Sequence, residues 1–303
     1  MGQRIRRSLT ILTYFAVAAA LAVAGPALAQ DKPRSGGELV FVGAAEPPGF
    51  DGHREETFGM LHPVGPHYST LMRVDPTDKT GTKFVGDLAE SWTASPDKRT
   101  YTFKIRHGVK FHDGSLMTSK DIKASYDKII FPPAGVMSSR QEQYKAVEAV
   151  EAPNPDTVIF RLKYPEGSFI ASVASPWNFI YKADILAKDP RWYEKNIMGT
   201  GPFKFVEYVR GSHWIGKKNP DYWDKGKPYL DSYRVIFIQD AAAQVAAIRG
   251  ERAMIQFRGF SPAERDSLVH GRSRRAAAWR FSDGSRSARR SGPRTLTHRR
   301  PAG

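Results

Sequence analysis

The stretch Leu88–Ile130, LAESWTASPDKRTYTFKIRHGVKFHDGSLMTSKDIKASYDKII, constrains the fold more than any other part of the chain. Tyr101, Phe103 and Ile105 alternate with Thr102, Lys104 and Arg106. A period of two places the first set on a buried face of a strand and the second on its open face. His107-Gly108 interrupts the alternation and Val109–His112 resumes it, which predicts a hairpin between the two runs, and Asp113-Gly114 closes the piece with a turn. Thr118 and Asp121 form a capping pair at a helix start, with the carboxylate at the positive end of the helix. Ile122, Tyr126, Ile129 and Ile130 follow at helical spacing until Pro132-Pro133 stops the helix.

Elsewhere the signals are shorter. Glu38–Val42 is an apolar run suited to a buried strand. Ala44–Asp51, rich in proline and glycine, is a loop, and a loop after a first parallel strand lies at the sheet edge where α/β proteins bind ligands. Tyr68–Val74 is read as a helix running to the turn Asp75-Pro76, and Gln141–Val150 as a short helix or extended segment. Asn154-Pro155-Asp156 is a turn before an alternating strand, Thr157–Leu162. Helix is expected over Phe169–Ala174 and again over Tyr181–Lys188, interrupted at Ser175–Asn178. Tyr233–Ile238 is a strand; Asp240 caps a helix over Ala241–Arg249, and Gly250 suits its far end. That strand-to-helix unit, with the first strand, argues for an α/β lobe. Ser261-Pro262-Ala263-Glu264 starts one more helix.

The residues are more specific than the pattern. LAESW, then TYTFKIRHGVKFHDG, then the T-x-x-D helix start together resemble the extracellular solute-binding proteins of ABC importers, in the family that carries peptides and nickel, family 5. Gly199-Thr200-Gly201-Pro202-Phe203 continues the resemblance, with Tyr208, Gly211, Asn219–Trp223, Pro228 and Leu230-Asp231 in order behind it. The chain departs from the family at Gly250-Glu251-Arg252-Ala253, where Gly-Glu-x-Asp is common. The resemblance implies an α/β, periplasmic-binding-protein-like fold of the type II clamshell kind. It covers mainly the first lobe (30–270), with a side subdomain over about 51–165 and the second lobe largely missing. It implies a monomeric, non-enzymatic binding component without cofactor that delivers a peptide or other small solute to ABC permease subunits at the inner membrane. Dipeptide, oligopeptide, nickel chelate, opine and sugar all remain open as ligands. In the family the loop after the first strand lines the cleft, and the interruption at 175–178 approaches it. Glu46, Phe50, Trp177 and Asn178 are therefore the candidate ligand contacts. Tyr222 and Trp223 are taken as packing residues.

Arg4, Arg6 and Arg7 precede an uncharged run over Leu9–Val23, and Ala27-Leu28-Ala29 follows. This is the form of a secretory signal peptide over 1–29, which places the mature chain in the periplasm. The run falls short of the roughly 18–20 apolar residues of a membrane span. There is no cysteine, so neither a disulfide framework nor a lipid-bearing thiol is available.

The net charge of +15 is unevenly spread: residues 1–30 carry +3, residues 271–303 carry +9 from ten arginines and Asp283, and residues 31–270 carry +3. The body is nearly neutral, so its overall basicity is no argument for nucleic acid binding. Residues 271–303 show neither helical nor strand period. They are read either as a basic arm for polyanions or as a disordered or frame-shifted tail, and the lack of any lysine among them favours the latter. A secreted basic protein whose tail binds polyanions is the competing function.

Other chemistries find no support in the pattern. His53, His62 and His67, and His107 with His112, match no metal-ligand spacing. The 199–203 loop lacks the lysine of a P-loop and the third glycine of a dinucleotide fingerprint. No nucleophile elbow, zinc motif or informative carboxylate pair suggests a hydrolase.

Overall fold

A computed structural model of the chain describes residues 33–270. The signal segment and the arginine-rich stretch expected from the sequence lie outside the described residues. In chain order the elements begin with β1 (Glu38–Gly43), α1 (Phe58–Val64), β2 (Met72–Val74), β3 (Phe84–Gly86), β4 (Ala89–Ala94), β5 (Thr100–Ile105) and α2 (Ser119–Ile130). Next come β6 (Val147–Asn154), β7 (Thr157–Leu162), α3 (Phe169–Val173), α4 (Ala183–Lys188), β8 (Phe203–Val209), β9 (His213–Lys218) and β10 (Ser232–Phe237). α5 (Ala241–Arg249), β11 (Ile255–Gln256) and a helix α6 over 262–270 complete it.

The strands make two main sheets. The first is mixed, in the order β11-β1-β10-β9-β8, with β1 parallel to both β10 and β11 and the remaining pairs antiparallel. Its two faces follow from the alternation in β1. Phe41 packs with Tyr233, Val235 and Trp214 on one side, while Val40 and Val42 meet Ala247 and Ile248 on the other. The Asp240 carboxylate accepts the Ala243 amide at 2.7 Å and so starts α5, which returns the chain from β10 to β11. That crossover brings the carboxyl ends of β1 and β11 to the same edge, because the two strands run parallel.

The second sheet, β4-β5-β7-β6, is antiparallel and lies wholly within residues 89–162. Tyr101, Phe103 and Ile105 face inward, as do Val158, Phe160 and Leu162, and α2 covers them with Ile122, Tyr126, Ile129 and Ile130. Phe103 meets Phe160 edge-on with ring centres 5.6 Å apart, a geometry favoured by the ring quadrupoles. The Asp121 carboxylate accepts the Thr118 amide at 2.8 Å at the start of α2. Its other oxygen accepts the Ala183 amide at 2.8 Å, so one residue both caps α2 and anchors α4.

Two expectations need correction. The hairpin does not join 100–106 to 109–112: β5 pairs with β4 and β7 instead. The 109–112 run folds back on residues 115–117, with Phe111 N–H donating to Ser115 O and Met117 N–H to Val109 O, both at 2.8 Å, around the Asp113-Gly114 turn. Alternation marks both runs as half-buried, but it carries no information on partners. Secondly, Tyr68–Val74 is not helical. The helix lies earlier, at α1, where the Thr57 hydroxyl accepts the Met60 amide. Met72–Val74 is instead a strand paired with β3. Thr70 is held extended through its amide, which donates to the Asp87 carboxylate at 2.9 Å. A short apolar run has too few residues for its period to separate helix from strand.

The two glycines of the 199–203 signature have a steric reason. A Cβ on Gly199 would lie 2.1 Å from the His67 carbonyl oxygen, and one on Gly201 2.4 Å from the His67 carbonyl carbon. The Gly201 amide donates to that same carbonyl at 3.0 Å. Backbone therefore lies on backbone here, and only glycine fits.

Candidate functional site

The carboxyl edge of β1 and β11 is where a ligand site is expected, since the chain leaves both strands there and the helices lie on the faces. A cavity of about 330 Å3 opens at this edge. Ala44 and Ala45 from the loop after β1 form one wall, Phe58 and His62 from α1 another, and Arg258, two residues beyond β11, a third. Phe58 and His62 are one helical turn apart, so their rings lie side by side with centres 5.3 Å apart. His62 also meets Phe257 at 5.0 Å, and the Arg258 guanidinium lies 5.2 Å from the centre of the Phe58 ring. Burial, and secondarily the Arg258 charge, push the His62 pKa below its ordinary 6.5. The ring is therefore neutral at pH 7.

The structure divides the four sequence candidates. Trp177 touches Phe58 of this wall without itself lining the cavity: its ring lies 5.6 Å from that of Phe58, and the Arg140 guanidinium lies 4.9 Å from its centre. Arg140 is itself fixed by donating to the Gly52 and Glu55 carbonyls at 2.9 and 3.0 Å. Asn178 lies beneath the surface with no exposed area. Its Nδ2 donates to the Tyr144 hydroxyl and the Ser172 carbonyl, each at 2.8 Å, and so holds the break between α3 and α4 in shape. Glu46 turns toward the β8–β9 connection, where one carboxylate oxygen accepts the Tyr208 hydroxyl at 2.6 Å and the Gly211 amide at 2.8 Å. These two bonds, Tyr208 first, hold its carboxyl below the usual range. Phe50 turns inward and meets Trp214 edge-on at 5.1 Å. Both residues fasten the loop that lines the cavity, and in this arrangement neither forms its wall.

The residues missed from the sequence are Phe58, His62 and Arg258. The first two carried a usable signal, an aromatic pair at helical spacing directly after the ligand-edge loop. Arg258 carried none, because β11 is two residues long and its pairing with β1 is a long-range contact.

The other histidines are core residues. His67 Nδ1 is 2.7 Å from the Phe203 carbonyl, while Nε2 accepts from Trp214 Nε1 at 2.9 Å and lies 2.8 Å from the Tyr233 hydroxyl, which donates to the Pro63 carbonyl at 2.6 Å. His53 Nε2 donates to the Phe179 carbonyl at 2.8 Å. Burial pushes the pKa of each down to about 3. Among the described residues no group of three or more histidines or carboxylates is placed to hold a metal ion. A larger cavity of about 400 Å3 has Tyr68, Thr70, Arg73 and Asp87 in its wall. Asp87 is committed there to the Thr70 amide, and the lining includes no residue of the loop after β1 or of β11.

Residues 83–270 match the family described as bacterial extracellular solute-binding proteins, family 5, and the chain belongs to it. It is 33% identical over 246 residues to a putative ABC transporter peptide-binding protein of Brucella ovis, an alignment covering 78% of this chain and 45% of that protein. It is 31% identical to a di/tripeptide-binding protein of Pseudomonas aeruginosa, covering 78% and 47%. Among solved structures it resembles the oligopeptide-binding protein AppA of Bacillus subtilis in complex with a nonapeptide, with a TM-score of 0.66 and 30% identity over 73% of this chain and 44% of that one. It also resembles the binding protein AgaA in complex with agropinic acid, with a TM-score of 0.66 and 31% identity over 72% and 43%. The fold is thus that of the periplasmic binding proteins, and the chain spans less than half the length of these relatives.

Proposed function

We propose that this chain is the solute-capturing component of an ABC importer, taking a peptide or comparably small solute from the periplasm and presenting it to permease subunits in the inner membrane. In this reading residues 1–29 direct export, the protein acts as a monomer without cofactor, and no covalent chemistry is performed on the ligand. The relatives named for peptide binding support the reading. The observation that carries it is the cavity at the carboxyl edge of β1 and β11, lined by an aromatic wall and one cationic side chain, Arg258. In the longer relatives a second lobe would close over that edge by hinge motion. The described residues supply one face of the site, and a ligand held by that face alone stays largely in water.

Tryptophan fluorescence under titration with tripeptides tests the reading. Saturable quenching that disappears in Trp177→Phe is expected. A Trp177→Phe protein that responds as the parent does would place the ligand elsewhere, and no response at millimolar peptide would overturn the reading. The polyanion alternative rests on the +9 charge of residues 271–303. It requires heparin binding that weakens steeply with salt and is lost on deleting those residues.

A further inference from the structure

The cavity at the β1–β11 edge is chemically one-sided. Its lining holds two groups able to donate to an anion, Arg258 and His62, and no carboxylate. Elsewhere Arg54, Arg161, Arg191 and Arg234 each face a glutamate within 4 Å. Among the described residues Arg258 has no such partner, and its guanidinium lies over the face of Phe58 at 5.2 Å. The nearby Glu46 carboxylate is spent on Tyr208 and Gly211. His62 is held between Phe58 and Phe257, and its ring nitrogens bond no other described residue. An arginine stacked on an aromatic ring keeps its fork of N–H groups free in the plane, which suits a planar anion.

Resting on the solute-capture reading above, we propose that this cavity is a carboxylate subsite. Arg258 takes the ligand carboxylate with its guanidinium fork, His62 donates one ring N–H to it, and Phe58 carries the adjoining apolar group. The ligand class is a small solute with a carboxylate next to a short aliphatic segment, as at the carboxyl end of a peptide. Because His62 is neutral, the attraction at pH 7 comes from Arg258 alone. A bound carboxylate would stabilise the imidazolium and move the His62 midpoint upward.

The test uses the whole 303-residue chain, labelled for NMR so that weak binding is read directly. The probes are Ala-Leu-Ala, the same tripeptide as its C-terminal amide, and Ala-Leu-Glu amide. Ala-Leu-Ala should shift the amides of Ala44, Ala45 and Gly59 and raise the His62 midpoint, and its amide should bind about tenfold more weakly, a difference of ~1.4 kcal/mol. Arg258→Gln should reduce the free acid to the level of the amide without altering amide binding, and Arg258→Lys should restore part of the difference. Arg258 is exposed and makes no ion pair among the described residues, so these variants keep the fold. If Ala-Leu-Glu amide matches the free acid, the subsite reads any carboxylate; if not, it reads the chain end. Both results support the proposal. Equal binding of acid and amide, or discrimination that survives Arg258→Gln, overturns the carboxylate assignment and leaves solute capture standing. If no probe disturbs this edge at millimolar concentration, solute capture falls and the subsite with it.

Discussion

The Lys128 ammonium of α2 lies 2.5 Å from the Asp51 carboxylate, and both side chains are almost wholly out of water. The pair joins the helix that covers the second sheet to the loop that leaves β1. Asp51 accepts further bonds from the Tyr181 hydroxyl at 2.9 Å and the His53 amide at 3.0 Å. Burial pushes its carboxyl up, but the Lys128 charge and these donors outweigh burial and hold it below its ordinary 3.8. Removing one partner leaves an uncompensated buried charge. Lys128→Met and Asp51→Asn should each lower unfolding free energy by about 3–5 kcal/mol, measured by urea denaturation, and the double variant should cost less than the sum. Additive losses would show that the two charges are not coupled.

Stability should fall as the solution is acidified, well above the carboxylate range. His53 and His67 have ordinary values of 6.5 and folded values of about 3. Burial is the first cause for both, with the Lys128 charge next for His53. A depressed histidine favours folding fully above 6.5. Below that pH the unfolded chain takes up protons that the folded chain refuses, and the stability is lost as pH falls toward 3. At about 1.4 kcal/mol per pH unit, each histidine should remove roughly 2 kcal/mol by about pH 5. The urea midpoint measured from pH 7 to 5 checks this, and His67→Gln should lessen the slope by about one proton. An unchanged slope in that variant would remove His67 from the account.

Gly201→Ala should destabilise strongly, because its Cβ would meet the backbone of His67 and Tyr68 at 2.4 Å. Neither neighbour is a flexible side-chain end, so the backbone must shift, at a cost of about 2 kcal/mol or more. Gly167→Ala is the control: nothing lies within 4 Å of its Cβ, and the change should stay within about 0.5 kcal/mol. Thermal melts of the two variants separate close approach from a general loss of chain freedom.

Phe58 is 43% exposed, yet it touches His62, Trp177 and Arg258. Phe58→Ala should therefore weaken tripeptide binding about five- to tenfold, the ~1–1.4 kcal/mol of a modest aromatic anchor. Its half-exposed position predicts a much smaller change in melting temperature. A variant that melts early and binds normally would assign Phe58 to the core.

Much of the fold was legible locally. The strands at 100–105 and 157–162, the capped starts at Thr118 and Asp240, and the glycine pair before Phe203 all occur where the pattern places them. The candidate site was legible only in part. The loop after β1 is legible from its position, and the family resemblance, in which that loop lines the cleft, offers Glu46 and Phe50 as ligand contacts. Their contacts with Tyr208, Gly211 and Trp214, more than 150 residues away, leave no local trace.

By itself the sequence determined the family and the type of the strongly periodic or capped elements, such as β5, β7, α2 and α5, because period, caps and turns depend on neighbours a few residues apart. Tertiary structure decided which strands pair, which way the loop side chains turn, and that Arg258 stands over Phe58. Such relationships depend on parallel pairing across long stretches of chain, and local periodicity holds no record of which distant partner excludes water from a given face.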